Sequence, residues 1–349
     1  MKKQVNVKGK IIGDGNVTVQ TMLSRKTIEV EKNLEEIAML KNEGCDFVRI
    51  AVSDESEAEA FGKICEKSLL PVIADIQFDY RLAIKTIENG AAKIRINPCY
   101  IGGEDKIRLV VDAAKAHNVP IRVGVNMGSL EKSAEAKYGR SAEGLAHSAI
   151  NCARMLEDCG FYDIVLSVKS SDVREMTRAC KILDEKSCYP QHIGVTEAGT
   201  KNFGEVKNAI GIGSLLLDGI GDTIRVSLSA PPVEEVRSAI RILKALDLRQ
   251  GVKVVSCPTC SRCDYDLFSL AKEIEDKTLN FGGDLKVAVM GCVVNGIGEG
   301  KDADIGIVGG KDGFVVIKKG EVVARLPKDG YKERFIAMIR EELDAKSRD

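Results

Sequence analysis

The residues of this 349-residue chain with the most chemical potential are cysteines and arginines. The stretch SCPTCSRC (256–263) sets Cys257, Cys260 and Cys263 at intervals of three, directly after the apolar run VKVV (252–255). Cys292 follows a second apolar run, KVAVMG (286–291). Thiols that leave strand ends can be brought to one point by a modest fold. With Cys257, Cys260 and Cys292 as three donors, either Cys263 or Glu299, on the glycine-rich GCVVNGIGEG (291–300), completes a set of four. Zinc would take four thiolates in a closed tetrahedron, whereas CxxCxxC with a remote fourth ligand resembles iron-sulfur ligation. Spacing favours the cluster. The other cysteines (45, 65, 99, 152, 159, 180 and 188) are isolated in sequence and are expected to act mostly as small buried apolar groups. With only His117, His147 and His192, a histidine-built catalytic metal site is not expected, and the first two lie in helical stretches that should face solvent.

The arginines recur within apolar runs: Arg49 in VRI, Arg95 in IRIN, Arg122 in IRVGVN and Arg225 in IRVSL. One such arginine reads as an edge residue reaching for water. Four of them in strands covered on one side by helices and packed on the other need counter-charge. At the strand ends stand Asp75, Glu197, Asn97, Asn126, Lys169 and Ser227, too few acids to serve them all. A bound dianion or polyanion gripped by guanidinium forks satisfies the pattern better than an ion-pair network. No P-loop is present; GIGSLLLDG (211–219) reads as close helix packing.

The elements that must position these residues follow from periodicity. Eight strands are predicted: VTVQTM (17–22), FVRIAV (47–52), VIADI (72–76), KIRINP (93–98), IRVGVN (121–126), IVLSVK (164–169), HIGVTE (192–197) and TIRVSL (223–228). Amphipathic stretches such as 30–42 and 104–117 separate them. Eight βα units over about 230 residues predict a TIM-type (β/α)8 barrel over 1–248, whose site is built at the carboxyl ends of the strands. The preceding VNVKGKIIGDGNV, with its Asp14-Gly15 turn signal, reads as a hairpin plugging the barrel bottom. A helix opening at Pro231-Pro232 closes the barrel. After the link Arg249-Gln250-Gly251 a small α+β domain covers 252–349: a strand into the cysteine motif, a helix over 266–277, strands near 286–291 and 304–310, a hairpin turning at Gly320, and a last helix from about Tyr331.

Composition excludes several function classes. The 51 basic and 52 acidic side chains nearly cancel, and Trp is absent, so neither an electrostatic footprint nor a stacking platform for nucleic acid is expected. No apolar run reaches the roughly 18 residues of a membrane span, and MKKQVNVKGK lacks a signal-peptide core. A soluble cytoplasmic protein is expected, with its eleven cysteines serving as thiols or ligands rather than disulfides.

In their shared order, VQTM, ADIQFDYRLA, KIRINP, IRVGVNMGSLE, SVKSSD, GVTEAG, GIGDTIRVSL, SCPTCSR and GCVVNGIGE resemble the 4-hydroxy-3-methylbut-2-enyl diphosphate synthase family, iron-sulfur enzymes of the methylerythritol phosphate route to isoprenoids. The resemblance spans nearly the whole chain. It implies a barrel followed by a small iron-sulfur domain carrying a 4Fe-4S cluster. It also implies reductive opening of 2-C-methyl-D-erythritol 2,4-cyclodiphosphate, with electrons from flavodoxin or ferredoxin. Position by position, it makes Cys257, Cys260, Cys292 and Glu299 the cluster ligands. Arg95, Arg122, Arg225 and Ser227 go to the diphosphate with Lys169 alongside, and Arg49, Asp75, Asn126 and Glu197 surround the substrate. A carboxylate corner at Glu299 is hard and exchangeable, leaving a position for a substrate oxygen. Glu197 is the expected proton donor, as a carboxyl shielded in a closed site. Asp75, Glu197 and Glu299 thus form the expected catalytic set.

The chain departs from the family pattern at Gln77 (for His), Cys99-Tyr100 (for Gly-Asn), Ile297 (for Pro) and the additional Cys263. The last barrel helix, of about 14 residues and ~21 Å, runs back toward the barrel bottom. The short link after it cannot readily return the cluster domain to the mouth. A head-to-tail homodimer, each cluster capping the partner's barrel, is therefore expected, and the resemblance implies it too. Two rival readings are a phosphate-binding barrel transferase with a structural zinc tail and a redox-sensing module on a barrel scaffold.

Overall fold

β-Branched and aliphatic runs form the strands and the amphipathic stretches between them form helices, in alternation along most of the chain. The computed structural model describes residues 2–293, 296, 298, 300–310 and 312–346, which divide into two units, 1–248 and 249–349. The first unit begins with a hairpin, β1 (Val5–Val7) and β2 (Lys10–Ile12). Its barrel strands are β3 (Thr18–Met22), β4 (Phe47–Ala51), β5 (Val72–Asp75), β6 (Lys93–Ile96), β7 (Ile121–Asn126), β8 (Ile164–Lys169), β9 (His192–Ile193) and β10 (Thr223–Ile224). The helices are α1 (Val30–Asn42), α2 (Glu55–Lys67), α3 (Tyr80–Glu88), α4 (Glu104–His117), α5 (Lys132–Tyr138), α6 (Ala142–Glu157), α7 (Val173–Lys186), α8 (Lys201–Leu217) and α9 (Pro232–Ala245). Asp54, Asp79, Ser141 and Asp172 each accept a first-turn backbone N–H, fixing where α2, α3, α6 and α7 start.

The eight strands are parallel, in the order β8-β7-β6-β5-β4-β3-β10-β9. A Leu166–Gln191 bridge joins the two ends, and the Leu166 N–H donates to the Pro190 carbonyl at 2.9 Å. The barrel expectation is met. The last two strands, however, keep only two ladder residues each instead of six. Asn208 of α8, fully buried, takes the place of strand partners: its Oδ1 accepts from the Val195 N–H (3.3 Å) and its Nδ2 donates to the Ser227 carbonyl (3.3 Å). Those segments are thereby released from the ladder.

The hairpin does cover the barrel bottom, packing Val5, Val7 and Ile12 on Phe47, Ile73, Ala92 and Val165. Its turn lies at Lys8-Gly9, both with positive φ (+46° and +88°), not at Asp14-Gly15. The Asn6 side chain fixes it by accepting from the Gly9 N–H at 2.7 Å. Asp14 instead accepts from the Asn16 N–H, starting the bend into β3. Gly211 lies inside α8, where a methyl would stand 2.8 Å from both Met176 and Val195, as a helix-packing glycine should.

The second unit is a five-stranded sheet in the order β11 (Val252–Ser256), β12 (Leu285–Met290), β13 (Ile305–Gly310), β14 (Gly313–Lys318), β15 (Glu321–Leu326). The first three are parallel and the last two antiparallel, with Gly320 in the β14–β15 turn. Helix α10 (Leu267–Thr278) and the C-terminal helix (Tyr331–Lys346) bury Leu270, Ile274, Phe335 and Ile339 in one core with Val287 and Ile307. Among the described residues no helix is long and apolar enough to cross a membrane.

Candidate active site

All nine of the barrel's sequence-predicted residues, Arg49, Asp75, Arg95, Arg122, Asn126, Lys169, Glu197, Arg225 and Ser227, line one cavity of about 450 Å³. Register explains the convergence. Arg95 on β6 pairs with Asp75 on β5 and with Arg122 on β7, and Asn126 pairs with Lys169, so inward-facing residues of neighbouring strands share a level. Gly124 completes it: a Cβ there would lie 2.5 Å from Arg95 Nε, so the glycine lets the Arg95 side chain cross β7 and donate to the Gly124 carbonyl at 3.1 Å.

The four arginines are not equivalent. Arg225 forks onto Glu235 with both contacts at 3.2 Å, and Glu235 also accepts from Thr21 Oγ1 (2.6 Å) and the Leu228 N–H (3.0 Å). Arg49 and Arg95 share Asp75 at 3.8 and 3.4 Å. Arg122 is 1% exposed, and its Nε and Nη1 have no hydrogen-bond partner. Burial and the neighbouring Arg49 and Arg95 pull it well below the ordinary arginine value. A guanidinium does not release its proton in a protein, so this strain is held as unsatisfied charge. Burial raises the Asp75 carboxyl, but Arg49, Arg95, Arg122 and Arg225 outweigh it and hold the group below its usual value. Lys169 is driven well below the lysine range by burial, then by Arg225 and Arg122. Lys93 Nζ and His192 Nε2, at the strand starts, are also buried without partners. Six basic side chains (Arg49, Lys93, Arg95, Arg122, Lys169, Arg225) thus crowd the barrel interior beside two carboxylates (Asp75, Glu235). Such a site accepts an anion with several oxygens and rejects a cation.

Two expectations for this cavity change. Glu197 stands at the rim, exposed rather than shielded, and holds a left-handed φ of +51°. A non-glycine residue in that region carries backbone strain of the kind found at functional sites. The shortage of acids at the strand ends is relieved from outside the strands, by Glu235 in the first turn of α9. Its signal was available in PPVEEV, ten residues after Arg225. Sequence reading passed over Ser129, Ser167 and Thr196, which line the same cavity, as does Tyr100. Gln77, standing where the family pattern has histidine, lines it too.

In the second unit Cys257, Cys260 and Cys292 line a single cavity of about 230 Å³ with Pro258, Thr259, Arg262, Met290, Gly291 and Gly296. The motif hangs from β11 and Cys292 from the neighbouring parallel β12, which explains the meeting of thiols far apart in sequence. A Cβ on Gly291 would stand 3.3 Å from Cys257 Sγ, and the Gly291 N–H donates to that sulfur at 3.2 Å. Arg262 bonds to Cys292 and lies beside Cys260, and those sulfurs raise its guanidinium above its usual value. Three thiols, a glycine wall and a guanidinium suit a thiolate-held inorganic group of cluster size. Among the described residues no three His, Cys, Asp or Glu side chains converge closely enough to hold a single ion. Cys263 is not among the residues lining that cavity, yet its Sγ stands beside Gly291 too, 3.1 Å from a Cβ placed there, and donates to the Tyr265 carbonyl at 3.3 Å. Glu299 and Ile297 lie outside the described residues.

The thiols elsewhere are less uniform than expected. Cys45 and Cys180 are buried, with burial pushing each to about 12. Cys99 and Cys152, 53 residues apart, face each other at 2.6 Å and are not isolated. His117 is exposed, whereas His147 is half-buried and stacks on Tyr138 with ring centroids 4.2 Å apart.

Comparison with known proteins matches residues 2–240 to the GcpE TIM-barrel domain and residues 253–341 to the GcpE protein C-terminal domain. A 4-hydroxy-3-methylbut-2-en-1-yl diphosphate synthase (flavodoxin) of Caldanaerobacter subterraneus subsp. tengcongensis is 50% identical, covering 98% of each chain. A protein of the same name from Thermotoga maritima is 50% identical over 99% of each. Among solved structures, a type I 3-dehydroquinate dehydratase from Clostridium difficile aligns with a TM-score of 0.53 at 14% identity, covering 70% of this chain and 98% of that one. A Yersinia pestis DHPS aligns at 0.51 and 10% identity, covering 70% and 100%. These two likenesses concern the barrel fold alone.

Proposed function

The chain belongs to the GcpE family, and on that premise we propose how its own residues divide the work of the reaction. It is an oxidoreductase that opens 2-C-methyl-D-erythritol 2,4-cyclodiphosphate to 4-hydroxy-3-methylbut-2-enyl diphosphate, taking up two electrons and two protons and releasing water. The observation that carries the residue assignment is Arg122, a buried guanidinium that lines the cavity and has two nitrogens without a hydrogen-bond partner. A diphosphate in the cavity supplies the missing counter-charge. Arg95 and Arg225 flank it with Ser227, and the anion's negative charge favours the Lys169 ammonium, which burial and Arg225 otherwise disfavour. Arg49 and Asp75 hold each other in place and present fixed charges to the carbon skeleton, with Asn126 as a neutral donor and acceptor.

The cavity of the second unit fits a 4Fe-4S cluster on Cys257, Cys260 and Cys292, with Glu299 as the fourth ligand. When bound, the cluster supplies electrons one at a time, received from flavodoxin. The Arg262 guanidinium, bonded to Cys292 and beside Cys260, sets a fixed positive charge against the ligand sulfurs. Glu197, at the rim, delivers a proton from its carboxyl once the substrate covers it. In anaerobic, iron-loaded protein supplied with reduced flavodoxin, the cyclodiphosphate should convert to the linear diphosphate. Glu197→Gln should bind substrate within about threefold of the parent yet lose roughly 10²-fold or more in turnover. Full turnover in that variant would remove Glu197 from the mechanism. Failure of the parent chain itself would overturn the whole reading.

A head-to-tail homodimer, in which each thiol cavity caps the partner's barrel, is part of the proposal, supported by the three-residue link 249–251 between Leu248 and β11. Co-expressed Cys292→Ala and Arg225→Ala chains should then regain activity that neither has alone, since a mixed dimer contains one intact site. Inactive mixed dimers, isolated with two affinity tags, would place each site within one chain.

A further inference from the structure

We propose that Cys99 and Cys152 form a reversible thiol–disulfide couple built into the barrel at the rim of the substrate cavity. Cys99 lies on the short 3-10 turn Pro98–Tyr100 that follows β6, and Cys152 lies on α6. Their sulfurs are 2.6 Å apart, roughly 0.6 Å beyond a disulfide bond length of about 2.05 Å, so little movement is needed to join them. Exposure divides the roles. Cys99 is half-buried, whereas Cys152 is fully buried, so a small reagent meets Cys99 first. The Cys152 thiol is also within reach of Asn97 Oδ1 (3.5 Å), and that same oxygen accepts from the Cys99 N–H (3.2 Å). Asn97 and Tyr100 both line the substrate cavity, so the couple sits directly behind its wall.

The electrostatics agree with this division. Hydrogen bonding from Cys152 lowers the Cys99 thiol, and the same contact together with burial raises Cys152, which makes Cys99 the attacking thiolate. Burial pushes Cys45, Cys65 and Cys180 up to about 12, so those thiols are poor nucleophiles. The oxidant is a small aliphatic disulfide. Cys99 thiolate attacks one of its sulfurs, breaking the reagent's S–S bond and releasing one thiolate. Cys152 then loses its proton and attacks Cys99 Sγ, forming the protein disulfide and releasing the second thiol. Two electrons pass from the protein pair to the reagent, and a dithiol reverses the reaction.

The test treats full-length, iron-loaded protein anaerobically with 2-hydroxyethyl disulfide and maps the products by peptide mass spectrometry. A Cys99–Cys152 linkage, two mass units lighter than the dithiol, should form at the reagent level that modifies the exposed Cys188, and a dithiol should remove it. Cys152→Ser should instead trap the mixed disulfide on Cys99, which shows that the site is intact and reactive even without linkage. Closing a 53-residue loop should also raise the barrel's melting temperature by roughly 5 °C or more. Cys99 and Cys152 left unlinked after Cys188 has reacted, or a linked protein that melts lower than the reduced one, would overturn the proposal.

Discussion

Arg122→Met should destroy affinity for the cyclodiphosphate and at the same time make the ligand-free protein more stable. The guanidinium is 1% exposed, two of its nitrogens have no partner, and Arg49 and Arg95 repel it. In the folded, ligand-free barrel it is a buried charge whose attraction to Asp75 is outweighed by burial and by Arg49 and Arg95. Replacing buried ion pairs by apolar side chains of similar volume is neutral or stabilising by about 1–4 kcal/mol, and a guanidinium with so little compensation should follow the same sign. In the complex the same group is a fully desolvated donor to phosphate oxygens, and its loss costs about 2–5 kcal/mol, roughly 30-fold to several thousand-fold in Kd. Arg225→Met is the contrasting control. Arg225 is already paired, and its removal strands Glu235 in the interior with only Thr21 and the Leu228 N–H for company. That variant should be destabilised by about 3–5 kcal/mol while also binding poorly. Thermal melts and titration calorimetry on the two variants check both signs. An Arg122→Met protein that melts lower than the parent, or binds within threefold of it, would remove Arg122 from the diphosphate site.

Alanine at Cys257, Cys260 or Cys292 should each abolish stoichiometric iron binding, whereas Cys263→Ala should leave it intact. The first three sulfurs line one cavity, whereas Cys263, though its Sγ also neighbours Gly291, is outside that lining and donates to the Tyr265 carbonyl. Iron and acid-labile sulfide in anaerobically purified protein provide the readout, independent of activity. Turnover in the three ligand variants should fall by roughly 10³-fold or more, about 4 kcal/mol of lost transition-state stabilisation. In Cys263→Ala it should change by no more than about threefold, less than 1 kcal/mol. Loss of iron in Cys263→Ala would instead make Cys263 the fourth ligand in place of Glu299.

The four strand arginines show the limits of reading similar motifs alike. VRI, IRIN, IRVGVN and IRVSL look alike in sequence, yet one arginine is forked onto a carboxylate, two share one, and one is orphaned. Their chemistry in the ligand-free protein therefore differs in sign as well as size. The stability predictions separate them where the motif does not.

By itself the sequence determined what is encoded within one element or between adjacent ones. β-Branched runs alternating with amphipathic stretches specify strand and helix, and eight such units specify a parallel barrel. Parallel register then carries Asp75, Arg95 and Arg122 to one level, since inward-facing residues recur every second position along each strand. The same logic put Cys257, Cys260 and Cys292 after strand ends, and the parallel pairing of β11 with β12 made those ends neighbours. Tertiary structure decided what depends on closure and on contacts between elements whose separation no local pattern measures. Glu235 reaches Arg225 and Thr21 only because α9 packs against β3 after the barrel has closed. Asn208 shortens two strands by bonding across them from α8. Cys99 meets Cys152 because α6 lies against the turn after β6. In each case a polar group lost water on burial and took the nearest available partner, and that partner was fixed by packing rather than by distance along the chain.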